Sequence, residues 1–232
     1  MLYDFHSHIL PDVDDGSQSV KQSIAMLDIL RESGVGTVVA TPHFYYNKID
    51  LEHFLRGREK AYNELMTAIG NDTSYPRILK GAEVLLTTDI PEMECLEKLC
   101  IEGTSYILIE LPYTYWSDWV FRAIDKISMR GLKPIIAHID RYSEKSKNIY
   151  RVFEQRCMIQ LNVDSLVNRR TRKKALRYIK YGEIQLLGSD THDEKHRPPR
   201  FKEAMTLLKK KFGSDIERMF ESNSLYVLND EG

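Results

Sequence analysis

The chain has 232 residues, 42% of them hydrophobic and 29% charged, enough to bury a sizeable core in a single domain spanning 1–232. Its formal net charge of −1 gives no global pull toward nucleic acid or acidic lipid. No apolar run approaches the ~18 residues of a membrane span, and the N-terminus lacks a basic, apolar, cleavable leader, so a cytoplasmic protein without membrane insertion is expected.

Strand and helix signals alternate from the start of the chain. Residues 2–8 form an apolar strand ending in His6-Ser7-His8, and 19–33 a helix with Ile24, Leu27 and Leu30 on one face. Strand 35–43 ends in His43 and leads to helix 51–69; strand 77–83 ends in Glu83 and leads to helix 90–99. Strand 106–110 ends in Glu110, followed by helix 118–129; strand 133–138 ends in His138, followed by helix 147–155. Strand 158–162, helix 169–181, strand 184–192 with Asp190 and His192, and helix 199–212 complete the series. Helical apolar positions recur three or four apart, whereas the strand runs are continuous and β-branched. Glycines such as Gly34 and Gly131 follow the helices, where a left-handed cap favours them. A βα unit repeated about seven times predicts a parallel sheet. A closed or nearly closed barrel fits better than an open doubly wound sheet, because almost every strand carries a polar C-terminal end.

Parallel strands in a barrel all finish on one face, so residues distant in sequence converge there. Five of the seven histidines, His6, His8, His43, His138 and His192, then share a mouth with Glu83, Glu110 and Asp190. An aspartate from the loop after the first strand joins them; spacing does not choose among Asp12, Asp14 and Asp15. Nine imidazole and carboxylate groups exceed the needs of one ion and suit two or three ions sharing bridging ligands. A donor set without thiolate suits Mn²⁺, Fe²⁺ or Zn²⁺.

Other chemistries find no support. A cysteine-based tyrosine phosphatase needs an arginine six positions after its thiolate. Here the sixth residues after Cys95, Cys100 and Cys157 are Ile101, Tyr106 and Val163. With no CxxC spacing and an odd count, the cysteines read as reduced, mostly packed thiols. No Walker-type glycine loop is present, so ATP-dependent chemistry is not indicated.

The ordered motifs Asp4-Phe-His6-Ser-His8-Ile-Leu-Pro11-Asp-Val-Asp14-Asp15-Gly16-Ser17, Ala40-Thr-Pro-His43, Gly81-Ala-Glu83, Leu108-Ile-Glu110-Leu-Pro112, Ala137-His138-Ile-Asp-Arg141 and Gly188-Ser-Asp190-Thr-His192 carry a resemblance. Over essentially the whole chain they resemble the polymerase-and-histidinol-phosphatase (PHP) superfamily. More narrowly, they are similar to its bacterial protein-tyrosine phosphatases of capsule and exopolysaccharide operons. The resemblance implies a distorted (β/α)7 barrel with a trinuclear centre, often manganese. It also implies removal of phosphate from the tyrosine-rich tail of a partner kinase that controls polysaccharide export. Carried over by motif, His6, His8, Glu83 and Asp190 would hold one ion. Glu83, Glu110 and His138 would hold a second, and Asp15, His43 and His192 a third. Arg141 and Arg197 match the phosphate-binding arginines and, with Asp190 and His192 beside them, make up the catalytic set. Ile139-Asp140 departs from the Pro-Glu of many relatives but leaves His138 and Arg141 in place.

The rival readings are a phosphatase of a small phosphomonoester such as histidinol phosphate, a phosphodiesterase or nuclease, and a metal-bearing regulator that only binds a kinase. A phenolate leaves readily because tyrosine's pKa is ~10, so no general acid is named. Phe44, Tyr45 and Tyr46 after His43, and Tyr113, Tyr115 and Trp116 after Glu110, either wall a phenyl ring or pack on each other. The basic run 169–174 reads as a solvated helix face, with attraction of an acidic tail as its alternative. Lys209, Lys210 and Lys211 complement a helix C-terminus. His53 should face solvent, and His196 lies in a loop near the expected site.

Overall fold

The structure is a computed structural model and describes residues 1–114, 116–142 and 148–230. Its elements alternate along the chain: β1 (Leu2–Ser7), α1 (Val20–Glu32), β2 (Val35–Ala40), β3 (His43–Phe44), α2 (Leu51–Ile69), β4 (Arg77–Lys80) and β5 (Glu83–Leu85). There follow β6 (Tyr106–Glu110), α3 (Asp118–Met129), β7 (Lys133–Ile136), α4 (Ile149–Phe153), β8 (Met158–Asn162), α5 (Asp164–Val167), α6 (Arg172–Lys180), β9 (Leu186–Gly188), α7 (Phe201–Phe212) and α8 (Asp215–Leu228).

All strand pairs are parallel and follow chain order, in one sheet of β1-β2-β4 and another of β3-β5-β6-β7-β8-β9. Past β9 the chain returns to β1: Asp190 donates its backbone N–H to the His6 carbonyl at 2.7 Å, and His8 donates to Thr191 at 3.0 Å. The ring expected from the sequence is therefore present as a distorted seven-position parallel barrel. Its distortion has a local cause. The expected strands 35–43 and 77–83 each break in two, the first at Thr41-Pro42, where proline has no N–H for the ladder. The second breaks at Gly81-Ala82, where a Cβ on Gly81 would meet Val39 at 3.1 Å. Buried Arg58 of α2 donates to the Gly81 carbonyl at 2.7 Å, satisfying an acceptor that the break releases. Both breaks lie at one level, so β3 and β5 set His43 directly opposite Glu83.

Helices cover the outside and bury one face each, as in α1, where Met26, Leu27 and Leu30 are fully buried and Ser19 caps the first turn by accepting from Gln22 N–H. A separate apolar cluster takes Phe5, Val39, Leu79, Leu108, Ile135 and Leu186 from six strands. In each strand these residues precede the polar end, so they floor the mouth with packed hydrocarbon.

Besides the broken strands, further elements differ from expectation. The segment 90–99 is not one α-helix but two 3₁₀ turns, Ile90–Glu92 and Leu96–Leu99, with Cys95 between them at φ +57°. Its buried residues Ile90, Met93, Leu96 and Leu99 recur every three positions, which is the 3₁₀ period rather than the α period. Helix α8 lies beyond the expected series. Its buried stripe runs through Ile216, Phe220, Ser224 and Val227, and the polar Ser224 interrupts the apolar pattern. Val227 joins the inner cluster, and Asp230, just past the helix, accepts from Ser105 and Lys133 at the starts of β6 and β7. The expected helix 147–155 is observed as α4; Lys147 itself lies outside the described residues. No helix among the described residues is long and apolar enough to cross a membrane.

Cys100 is buried and Cys157 half-buried, as expected of packed thiols, whereas Cys95 is exposed. Burial pushes the Cys100 and Cys157 thiols up to about 12, so neither offers a thiolate near neutral pH. Brief iodoacetamide treatment of the native chain at about pH 8 should therefore place one adduct, on Cys95, as read by peptide mass spectrometry. Equal labelling of all three would show that the barrel opens on the labelling timescale.

Candidate metal centre

The polar strand ends converge as the topology requires. His6 ends β1 and His8 follows it; His43 opens β3, Glu83 opens β5, and Glu110 ends β6. His138 and Asp190 stand just past β7 and β9, both in left-handed backbone at φ +31° and +52°. Such conformations are costly for residues with a Cβ and persist where the surroundings over-determine them.

Glu83 is the hub. It is 1% exposed, and four imidazoles reach its two oxygens. His138 Nε2 lies 2.7 Å from Oε1; His6 Nε2, His8 Nε2 and His43 Nδ1 lie 3.1, 3.3 and 2.9 Å from Oε2. Burial alone would raise the Glu83 pKa, but His6, His138 and His43 outweigh it and hold the carboxyl well below its usual range. Glu110 goes the other way, raised by burial and by the charge of Glu83. Its Oε1 is 3.6 Å from His138 Nε2.

Asp190 faces the centre through Oδ1, 3.8 and 3.6 Å from the Nε2 atoms of His6 and His8. Burial raises its pKa, yet His6 and Arg141 outweigh that and keep it ionised. Asp15 sits on the exposed side, with Oδ1 3.3 Å from His43 Nε2 and 3.6 Å from His192 Nε2. Burial and the neighbouring His8 lower His192 to about 3, leaving its ring neutral and able to act as a ligand.

Among Asp12, Asp14 and Asp15 the structure separates the roles. Asp14 Oδ2 accepts from His8 Nδ1 at 2.7 Å and from His43 N–H at 3.0 Å, and Oδ1 accepts from Gly16 N–H at 2.9 Å. It orients His8 and leaves Nε2 facing the centre. Burial would lower the His8 pKa, but Asp14 and Glu83 push it up to about 10. Asp12 is exposed at φ +56° and belongs to none of the candidate ligand clusters. Gly16 is required here, because a Cβ would stand 2.4 Å from the Cβ of His8.

The residues fit a group of cations. Buried polar atoms are ordinarily hydrogen-bonded. Here His43 Nδ1 and Glu83 Oε2 approach to 2.9 Å without a hydrogen bond, and His138 Nδ1 is buried without a partner among the described residues. His6 and His8 point Nε2 atoms at one another across 3.1 Å. Three overlapping sets have ligand atoms within 4.8 Å of one another: His8-Asp15-His43-His192, His6-His8-Asp190 and His43-Glu83-Glu110. Relative to the sets implied by resemblance, His8 is shared between two of these, and His43 rather than His138 groups with Glu83 and Glu110.

The rim is basic on one side. Arg141 Nη2 pairs with Asp190 Oδ2, and Arg197 Nη2 pairs with Asp190 Oδ1 at 2.8 Å. Both border a cleft of about 560 Å³ that also holds His196, Arg200 and Asn168. A second cavity of about 590 Å³ lies on the Asp15 side, lined by His43, Tyr45, Lys48 and the exposed His53.

The aromatic residues divide. Tyr45 stacks on His43 at 5.1 Å, and Tyr113, 63% exposed, lies parallel to His138 at 6.4 Å. Phe44 is core, packed edge-on to Phe54. Trp116 is buried against Tyr142 and donates Nε1–H to the Pro112 carbonyl at 2.7 Å, so it packs the loop rather than walling a ring. Tyr46 is exposed, and Tyr115 lies outside the described residues. Within the run 169–174, Arg172 and Lys174 fold back onto backbone carbonyls, leaving Arg169, Arg170 and Lys173 in solvent. Sequence reasoning passed over Gln160 and Asn162 of β8, both buried beside the centre. Their signal was two polar residues in a strand otherwise apolar and covered on both faces.

A sequence profile described as capsular polysaccharide synthesis, CpsB/CapC, matches residues 2–229. The chain belongs to the CpsB/CapC family. Among its relatives is the tyrosine-protein phosphatase YwqE of Bacillus subtilis (strain 168), 27% identical over 237 residues that cover 99% of this chain and 92% of that protein. Another is the tyrosine-protein phosphatase CpsB of Streptococcus pneumoniae, 28% identical over 249 residues and 99% of each chain. A crystal structure from the study of YwqE and S. pneumoniae CpsB, described as unique metal-dependent tyrosine phosphatases, superposes with a TM-score of 0.88 at 26% identity. The match covers 100% of this chain and 96% of that one. YwqE and S. pneumoniae CpsB are thus relatives described as metal-dependent tyrosine phosphatases, and this chain shares the fold of the matched structure.

Glu83→Ala should lose most of the bound divalent metal, with affinity falling about 100-fold or more, because one carboxylate serves several neighbouring ligands. His53→Ala should keep wild-type content. Elemental analysis after gel filtration distinguishes them, and equal losses would remove Glu83 from the hub.

Proposed function

We propose that this chain is a cytoplasmic, metal-dependent protein-tyrosine phosphatase that dephosphorylates the tyrosine-rich tail of a bacterial tyrosine kinase of a polysaccharide export system. The observation that carries the reading is the convergence of four imidazoles on buried Glu83 beneath two rim arginines, in a chain of the CpsB/CapC family.

Three divalent ions, Mn²⁺ with Fe²⁺ and Zn²⁺ as alternatives, would be held by nine residues of a single domain spanning 1–232. His6, His8, Glu83 and Asp190 would hold the first, Glu83, Glu110 and His138 the second, and Asp15, His43 and His192 the third. When bound, such ions supply positive charge against phosphate oxygens and lower the pKa of water. The remaining work falls to the chain. Arg141 and Arg197 present paired N–H donors suited to a phosphate, and both now rest on the Asp190 carboxylate at the cleft edge. Exchanging that partner for a phosphate dianion would keep the guanidinium groups satisfied throughout binding. Tyr113 and Tyr45 offer ring faces beside the mouth for the phenyl group of the substrate. The phenolate leaves without a strong acid, its pKa being ~10.

The purified chain should carry more than one transition ion, and chelation should abolish turnover. Arg197→Ala should lower kcat/KM on every phosphomonoester by about 10- to 100-fold, the loss of a charged hydrogen bond worth roughly 1.5 to 3 kcal/mol. Stopped assays should show a tyrosine-phosphorylated peptide hydrolysed with far higher kcat/KM than histidinol phosphate. A preference for histidinol phosphate would replace protein phosphotyrosine with a small phosphomonoester as the substrate.

A further inference from the structure

Strand β8 supplies no imidazole or carboxylate to the centre, yet its Gln160 is wholly buried against it. We propose that Gln160 is a positioning residue that fixes the tautomer of His6, so that Nε2 presents a bare lone pair to the metal centre. The inference rests on the metal-centre reading above and adds to it a residue outside the ligand set.

The backbone amide of His138 is a group with no freedom of role. A backbone N–H can only donate, and that of His138 reaches Gln160 Oε1 at 2.7 Å. The carboxamide is therefore oriented with its oxygen toward His138, independent of any choice between its two ends. His6 Nδ1 lies 3.2 Å from the same oxygen and must be the donor. A ring that ligates a metal is neutral and keeps one N–H, so in that state the Nδ1 donor leaves Nε2 of His6 unprotonated, facing His8 Nε2, Glu83 and Asp190.

The same orientation propagates. Gln160 Nε2 donates to Asn162 Oδ1 at 2.9 Å, which turns Asn162 Nδ2 toward Asp190 Oδ2 at 2.7 Å. Asp190 Oδ2 is thereby shared by Asn162 and Arg141, and Oδ1, which also accepts from Arg197, faces the centre. One backbone amide thus sets the direction of each hydrogen bond from His138 to Asp190 and aims two candidate ligands taken from opposite ends of the chain. An independent feature makes room for this layer: a Cβ on Gly188 would stand 2.5 Å from Gln160 Nε2 and 2.6 Å from His6 Cβ. Only glycine lets the amide and the imidazole approach each other there.

The test compares full-length wild type, Gln160→Met and Gln160→Glu, each loaded with Zn²⁺. Affinity is read by chelator competition, and histidine ring nitrogens by long-range ¹⁵N–¹H correlation. Wild-type His6 should be ligated at Nε2 with a slowly exchanging proton on Nδ1. Gln160→Met, which lacks the acceptor, should bind the ion about 10- to 100-fold more weakly and exchange that proton faster. Gln160→Glu keeps an acceptor for both N–H groups and should hold the tautomer, losing less than about tenfold. Ligation of wild-type His6 through Nδ1 would overturn the inference even if Gln160→Met failed to fold. So would a folded Gln160→Met with wild-type affinity and exchange. A wild-type chain that takes up neither Zn²⁺ nor Mn²⁺ would instead overturn the metal-centre reading itself.

Discussion

A carboxylate buried at the mouth of the barrel and contacted by four imidazoles is the constraint on which the rest of the molecule depends. Left alone in an apolar interior, Glu83 would take up a proton rather than stay charged. It stays ionised because His6, His8, His43 and His138, drawn from three separate parts of the chain, present ring nitrogens to both of its oxygens. That arrangement requires the end of β1, the starts of β3 and β5 and the end of β7 to lie at one level. The broken strands serve this requirement. Pro42 and Gly81 interrupt the ladder one step before His43 and two before Glu83, and the new register pairs those two residues.

The supporting layer is polar, which is unusual for a barrel interior and explains its dense hydrogen bonding. Asp4 is buried and accepts from the backbone and hydroxyl of Ser189, holding the end of β9 against β1. Burial pushes Asp4 up to about 6 despite those bonds, the cost of placing a carboxyl there. Left-handed backbone at His138 and Asp190 carries a similar cost and is held by the surrounding bonds. Apolar residues just below, from Phe5 to Leu186, supply the burial that offsets both.

Much of this was legible in the sequence, and the reason is physical. A strand covered on both faces must be apolar along its length, so a histidine or carboxylate at its end has nowhere to lie but the mouth. The ring order, seven strand positions and the gathering of His6, His8, His43, Glu83, Glu110, His138, Asp190 and His192 followed from that alone. Asp15 did not, because three aspartates in one loop are equivalent until the loop is folded. Nor did the fate of the aromatic residues: Trp116 and Tyr113 stand three apart in one loop, yet one is core and the other exposed. Helix α8 was hidden by Ser224 in its buried stripe, and 90–99 by a three-residue period that two helix types share at short length. Gln160 matched no ligand pattern because amides bear no charge, and only its polarity within a strand covered on both faces marked it.

The junction between Asp190-Thr191 and His6-Ser7-His8 has a consequence for how the chain acquires its site. It joins the first strand to the last, so it is the strand pairing of greatest sequence separation and among the slowest contacts to find by chance. Two histidines lie on one side of this seam, and an aspartate and a histidine on the other. A folding intermediate with its helices formed and its seam open would keep Asp190 and His192 apart from His6 and His8. Ions bound by these residues during folding would favour closure of the ring and so act as a latch on the last step.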